Sequence, residues 1–198
     1  MCAAGSIAAN GWGRPMRVED TAIPAVKIIT PVRHGDERGF FSETYSRAAF
    51  AQAGIDLEFV QDNHSLSVPV GTLRGLHFQS APFAQDKLVR CLRGRILDVA
   101  VDLRRASPTF GRHVAVELSA QNWRQLLVPV GFAHGFITLE ADSEVCYKVS
   151  ALYSRPNDLG LAWDDPALGI AWPLPPGGPV LSDKDRRQPR LADLPAYF

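Results

Sequence analysis

The densest run of chemically capable side chains is Arg74-Gly75-Leu76-His77-Phe78-Gln79, followed by Gln85, Lys87 and Arg90. In an extended strand Arg74, Leu76 and Phe78 alternate with Gly75, His77 and Gln79, so His77 and Gln79 share one face. If that face is concave, His77 is a candidate for proton transfer; on a sheet edge it is an ordinarily solvated histidine, and the stretch alone allows both. Tyr147 and Tyr153 lie six residues apart in a segment that reads as strand from Val145 to Tyr153, which puts them on one face. Such tyrosines donate a proton or stack on a base, or else are core aromatics with satisfied hydroxyls. Ser182-Asp183-Lys184-Asp185 reads by itself as a solvated turn.

A further cluster, Val128-Pro129-Val130-Gly131-Phe132-Ala133-His134-Gly135-Phe136, carries a P-x-G-x-x-H pattern that resembles the second cupin motif. A turn on Pro129 and Gly131 places His134 at the start of the next strand, facing inward. In metal cupins this histidine is a ligand, with two more drawn from an H-x-H pair. Here the corresponding residues are His77-Phe78-Gln79, too few ligands for a typical centre, and His113 begins a strand with no acidic neighbour of obvious ligand spacing. No bound metal is expected.

The elements that must hold these groups are mostly strands. Ser46 to Gly54 has the one short-helix signature, with Ser46 as N-cap, an Ala-rich body around Phe50 and Gly54 as the stop. Elsewhere the period is two. In Ile96 to Leu103, Leu97, Val99, Val101 and Leu103 share one face and Asp98, Ala100 and Asp102 the other; Val114, Val116 and Leu118 repeat the alternation. Lys87 to Leu92, Gln125 to Val128, Gly135 to Leu139 and Val145 to Tyr153 are further strands, separated by turns at Arg93-Gly94, Ser107-Pro108 and Pro129 to Gly131. With almost no helix between them, parallel crossovers are disfavoured. The expectation is an all-β fold, an antiparallel double-sheet jelly roll or cupin-like barrel with a few short peripheral helices. The Pro- and Gly-rich tail from Asp164 should wrap the barrel as ordered loop.

The chain has 198 residues, 46% of them hydrophobic, and its 21 basic and 21 acidic groups balance. That suits one domain with a real core and gives no broad basic field for nucleic acid or anionic lipid, so an anionic ligand needs a local cluster. Three cysteines, Cys2, Cys91 and Cys146, without C-x-x-C spacing, argue against a disulfide framework and a structural zinc and suit a reducing cytoplasm. No apolar run reaches the roughly 18 to 20 residues that cross a bilayer. Residues 1–15 read as a disordered or non-native extension, with Met16 an alternative start, and residues 16–198 as a single domain.

Taken in order, GDERGFFSE (Gly35 to Glu43), FVQDNHS (Phe59 to Ser65), LRGLHFQ, KLVRCLRG, DVAVDLR, SPTFG, VPVGFAHGF, YKVSALY, DDP and LSDKD resemble the dTDP-4-dehydrorhamnose 3,5-epimerase family from about Val18 to Asp185. The resemblance implies an isomerase that inverts the two carbons flanking the ketone of a 4-keto-6-deoxyhexose on thymidine diphosphate. Its product would be dTDP-4-dehydro-L-rhamnose, made in the cytoplasm for dTDP-L-rhamnose and cell-envelope polysaccharide. A ketone acidifies both flanking C–H groups, because the carbanion is delocalised as an enolate. One base and one acid therefore suffice, with no redox cofactor or metal.

By resemblance His77 is the base, Asp185 its carboxylate partner, Lys87 the cation near the ketone oxygen and Tyr147 the acid on the opposite face. Arg38, Glu43, Gln61, Asn63, Arg74, His134, Asp158 and Lys184 fall on positions that contact the sugar nucleotide, and Tyr153 on the one that stacks against thymine. Asp158 stands where a longer glutamate is expected. The family also implies a homodimer in which the amino-terminal strand region, including GDERGFF, crosses to the partner. Competing readings are a 3-epimerase or 5-epimerase of a related sugar, a metal-dependent cupin oxygenase, and a non-catalytic sugar-nucleotide binder.

Overall fold

The structure, a computed structural model, describes residues 16–198. The expected extension at 1–15, with Cys2, lies outside the described residues. Thirteen strands and one α-helix follow in chain order. They are β1 (Arg17–Asp20), β2 (Lys27–Thr30), β3 (His34–Asp36), β4 (Gly39–Phe41), α1 (Arg47–Gln52), β5 (Gln61–Ser67), β6 (Leu73–Gln79), β7 (Lys87–Arg93), β8 (Arg95–Asp102), β9 (His113–Ser119), β10 (Gln125–Val128), β11 (Phe132–Thr138), β12 (Ser143–Val149) and β13 (Asp158–Gly160). A six-stranded sheet runs β1-β2-β10-β7-β12-β5 and a five-stranded sheet β13-β6-β11-β8-β9, while β3 and β4 form a separate hairpin. The strand ladders are antiparallel, as the scarcity of helix in the sequence requires. The fold is the cupin-like double-sheet barrel.

Three apolar layers result. Between the sheets, Val89, Cys91, Leu126, Val128 and Val145 of the six-stranded sheet meet Ile96, Ala100, Val114, Val116, Leu118, Phe132 and Phe136 of the five-stranded one. Outside the six-stranded sheet, Ile29, Leu88 and Leu127 pack under α1 through Phe50, which is 1% exposed; burying that ring is worth about 2 kcal/mol. The helix begins at Ser46, whose hydroxyl accepts from the Ala49 amide, and Gly54 follows it at φ +81°. Outside the five-stranded sheet, Leu76, Phe78, Val99, Val101 and Ala133 are covered by Leu161, which follows β13, and by Leu168, Trp172, Leu194 and Phe198 of the tail, which adds short 3-10 turns at Asp185–Arg187 and Leu191–Asp193. The tail wraps as expected.

One local expectation is corrected. Strand β12 ends at Val149, so Tyr153 lies beyond it in a connecting segment and does not share a strand face with Tyr147. On β8 the outward, tail-covered face carries Val99, Val101 and Leu103, while the interior side holds Asp98, Ala100 and Asp102. Among the described residues no helix is long and apolar enough to cross a membrane.

Candidate active site

The site is set by the way β6 crosses β11. The register shifts by one residue between the pairs His134↔His77 and Phe136↔Arg74. Gly75 sits there at φ +119°, which a side chain would strain. A Cβ on Gly75 would stand 2.7 Å from Gly135 Cα, and one on Gly135 would stand 2.6 Å from the Arg74 carbonyl oxygen. Two glycines thus let the backbones close up, and the irregularity brings Arg74 and His77 to line one cavity although simple alternation places them on opposite faces.

That cavity, about 470 Å³, opens between the sheets and is lined by Arg74 and His77 of β6, His134 and Phe136 of β11, Lys87 of β7, Tyr147 of β12, Ser65 of β5, and Ser182 and Asp185 of the tail. His77 Nε2 meets Asp185 Oδ1 at 2.5 Å. The pair spans 108 residues of sequence, and Asp185, far from a solvated turn, is 4% exposed. Its second oxygen accepts from Ser182 Oγ at 2.7 Å. Burial pushes the Asp185 carboxyl up, but the bonds from His77 and Ser182 outweigh it and hold the group below the usual carboxylate range. An ionised Asp185 fixes the tautomer of His77 with its proton on Nε2 and leaves Nδ1 free to accept one.

Lys87 is 8% exposed, and its ammonium reaches the His77 carbonyl oxygen at 3.4 Å. Burial drives its pKa down to about 8, partly offset by the attraction of Asp158 and Asp98. Tyr147 is raised, chiefly by burial, so the phenol keeps its proton at neutral pH. His134 is buried and its Nε2 contacts Asp98 Oδ1 at 2.8 Å. It lies third in β11 rather than at the strand's start. Among the described residues no three His, Cys, Asp or Glu side chains converge at metal-binding spacing.

Beside the cavity, Asp158 Oδ2 accepts from Lys184 Nζ at 2.6 Å and from the Tyr153 hydroxyl at 3.1 Å. Gln61 and Asn63 of β5 bond to each other at 2.8 Å, and Asn63 stands opposite Tyr147 in the ladder. Arg38 and Glu43 are not among the residues that line this cavity in their own chain. Arg38 is exposed and paired with Asp36 on the β3–β4 hairpin, and Glu43 is exposed two residues past it.

Sequence reasoning passed over Asp98, Ser182 and Ser65. The signal for Asp98 was an acidic residue repeating at period two inside an apolar strand; Ser182 sits three residues before Asp185; nothing in the sequence marks Ser65.

Comparison with known proteins points one way. Residues 20–193 match the family described as dTDP-4-dehydrorhamnose 3,5-epimerase. The chain is 54% identical over 183 residues to the dTDP-4-dehydrorhamnose 3,5-epimerase of Sinorhizobium fredii, covering 92% of this chain and 93% of that one. It is 50% identical over 184 residues to the Shigella flexneri enzyme of the same description, covering 92% and 99%. A crystal structure of dTDP-6-deoxy-D-glucose-3,5-epimerase from Legionella pneumophila in complex with dTDP-4-keto-L-rhamnose superposes with a TM-score of 0.88 at 44% identity, covering 91% of this chain and 95% of that one.

Proposed function

The chain belongs to the dTDP-4-dehydrorhamnose 3,5-epimerase family, and from that premise we propose how its own residues carry the reaction. It is an isomerase that converts dTDP-4-dehydro-6-deoxy-D-glucose to dTDP-4-dehydro-L-rhamnose in dTDP-L-rhamnose biosynthesis. The observation that carries the residue roles is the opposition of two groups across one cavity: His77 projects from the five-stranded sheet and Tyr147 from the six-stranded one. Inversion needs a base on one side of the sugar ring and an acid on the other.

His77 Nδ1 takes the proton from a carbon next to the ketone, and the electron pair moves onto the ketone oxygen as an enolate. Lys87, charged below pH about 8, faces that oxygen and stabilises the developing charge. Tyr147 returns a proton to the opposite face, the enolate collapses, and the carbon is inverted. His77 has then gained one proton and Tyr147 has lost one, so both are reset through solvent before the second carbon reacts. Arg74, His134, Gln61, Asn63, Asp158, Lys184 and Tyr153 hold the sugar nucleotide.

Arg38 and Glu43 complete the site of a second copy, the β3–β4 hairpin crossing over in a homodimer. The separation of this hairpin from its own cavity and the exposure of Phe40 at 56% support that reading. Free thiols at Cys91 and Cys146 suit a reducing cytoplasm.

The test is turnover in heavy water with dTDP-4-keto-6-deoxyglucose, followed by proton NMR. Deuterium at both flanking carbons of the inverted product is expected. Label at one carbon only would make the enzyme a single-centre epimerase, and inversion without label would remove the solvent-reset step.

A further inference from the structure

We propose that Gln79 is a positioning residue for the nucleobase end of the site, pinning the segment that carries Tyr153 so that its ring is preset as a platform. The inference rests on the reading of Tyr153 as the stacking surface. Gln79 is the last residue of β6, two beyond His77, and is 4% exposed. Its amide oxygen accepts from the Ser154 backbone at 2.7 Å, and its amide nitrogen donates to the Leu152 carbonyl at 3.1 Å and the Phe83 carbonyl at 2.7 Å. The neighbouring backbone amide, that of Tyr153, is caught by the amide oxygen of Gln61 on β5 at 3.2 Å.

Two successive amides of one segment are therefore held by glutamines from strands of the two different sheets. This matters because the Tyr153 ring is 56% exposed and has little burial to hold it. What fixes the ring is its backbone and one bond from its hydroxyl to Asp158. A platform ordered before the ligand arrives binds more tightly than one that must be ordered by it. The same side chain hangs from the strand that carries the base, so recognition of the nucleotide and placement of the imidazole share one support.

The proposal separates from a merely structural role by what it leaves alone. Gln79→Glu keeps an acceptor for Ser154 and loses the donors to Leu152 and Phe83. In this variant thymidine diphosphate affinity, measured by calorimetry, should fall about tenfold, one factor of ten being about 1.4 kcal/mol. KM for the sugar nucleotide should rise by a similar factor while kcat stays within twofold, and inorganic pyrophosphate should bind as it does to the parent protein.

Tyr153→Ala should weaken thymidine diphosphate binding by at least as much, and the double variant no further than Tyr153→Ala alone. Should Gln79→Glu not fold, Gln79→Asn, which keeps the amide but shortens its reach, takes the same measurements. Undiminished affinity, equal losses in kcat and pyrophosphate binding, or strict additivity with Tyr153→Ala would overturn the role of Gln79. An unchanged affinity in Tyr153→Ala would instead overturn the stacking reading, and the proposal with it.

Discussion

Asp98 and Asp102 lie four residues apart on the same side of β8, each with no exposure to solvent, and the protein treats them in opposite ways. Asp102 is saturated: one oxygen accepts from the Arg104 backbone and Nε, the other from Arg104 Nη2, Ser107 and Thr109, at 2.6 to 3.0 Å. Burial pushes its carboxyl up, yet these bonds overcome it and bring the pKa down to about 2. Asp98 contacts His134 through one oxygen and, among the described residues, has no hydrogen-bond partner for the other, while its charge reaches the buried Lys87. Away from the cavity a buried carboxylate is spent on holding a loop. Beside it, one oxygen of a buried carboxylate is left without a hydrogen bond, a cost that calls for an explanation.

The sharpest challenge to this contrast is His77→Ala. Turnover should fall about a thousandfold or more, the range for loss of a general base, with thymidine diphosphate affinity nearly unchanged; a variant retaining a tenth of the activity would take the chemistry away from the open side. Next is Lys87→Met, expected to lose about a hundredfold in kcat. In the parent enzyme the rate should decline as pH rises through about 8, where Lys87 loses its proton, and the residual rate of the variant should lack that limb.

Asp102→Asn tests the closed side. A folded pKa of about 2 lies below the ordinary 3.8, so the charge stabilises above pH about 4 and its contribution is lost as pH falls toward 2. Urea unfolding at pH 7 should show a loss of about 2 kcal/mol, shrinking near pH 2, while kcat at 25 °C holds. A loss of equal size at both pH values would mean that packing rather than charge is at stake.

The smallest effect belongs to Asp98→Asn. It should lower kcat/KM about tenfold with melting little changed, since the asparagine keeps an acceptor for His134 and removes an oxygen that has no hydrogen bond. The descending limb should also move to lower pH, since one of the two attractions that hold Lys87 charged is gone, leaving Asp158 opposed by Lys184. Lost stability with full activity would make Asp98 a second Asp102.

The fold was legible because its strands alternate cleanly and its turns are marked by Gly and Pro. What sequence could not decide was which face of β8 looks inward: both are buried, one by the opposite sheet and one by the tail, and alternation alone does not rank two buried faces. Arg74 and His77 illustrate a second limit, since a one-residue register shift at Gly75 undoes the alternation on which their separation was based. The end of β12 at Val149 was missed for a related reason. Tyr153 has strand-like character, but its amide is claimed by Gln61 instead of a ladder partner. Asp185 looked like a surface residue because the tail that buries it has no periodicity to read.

The dyad bridges 108 residues, which ties catalytic competence to the order of synthesis. While the chain is being made, both sheets can assemble around His77, yet that imidazole stays without its carboxylate until residue 185 has emerged and the tail has docked. A nascent barrel would therefore carry a dormant base and one apolar face still uncovered. Clipping the tail of the mature protein should leave the imidazole without its carboxylate and also bare the apolar face that the tail covers.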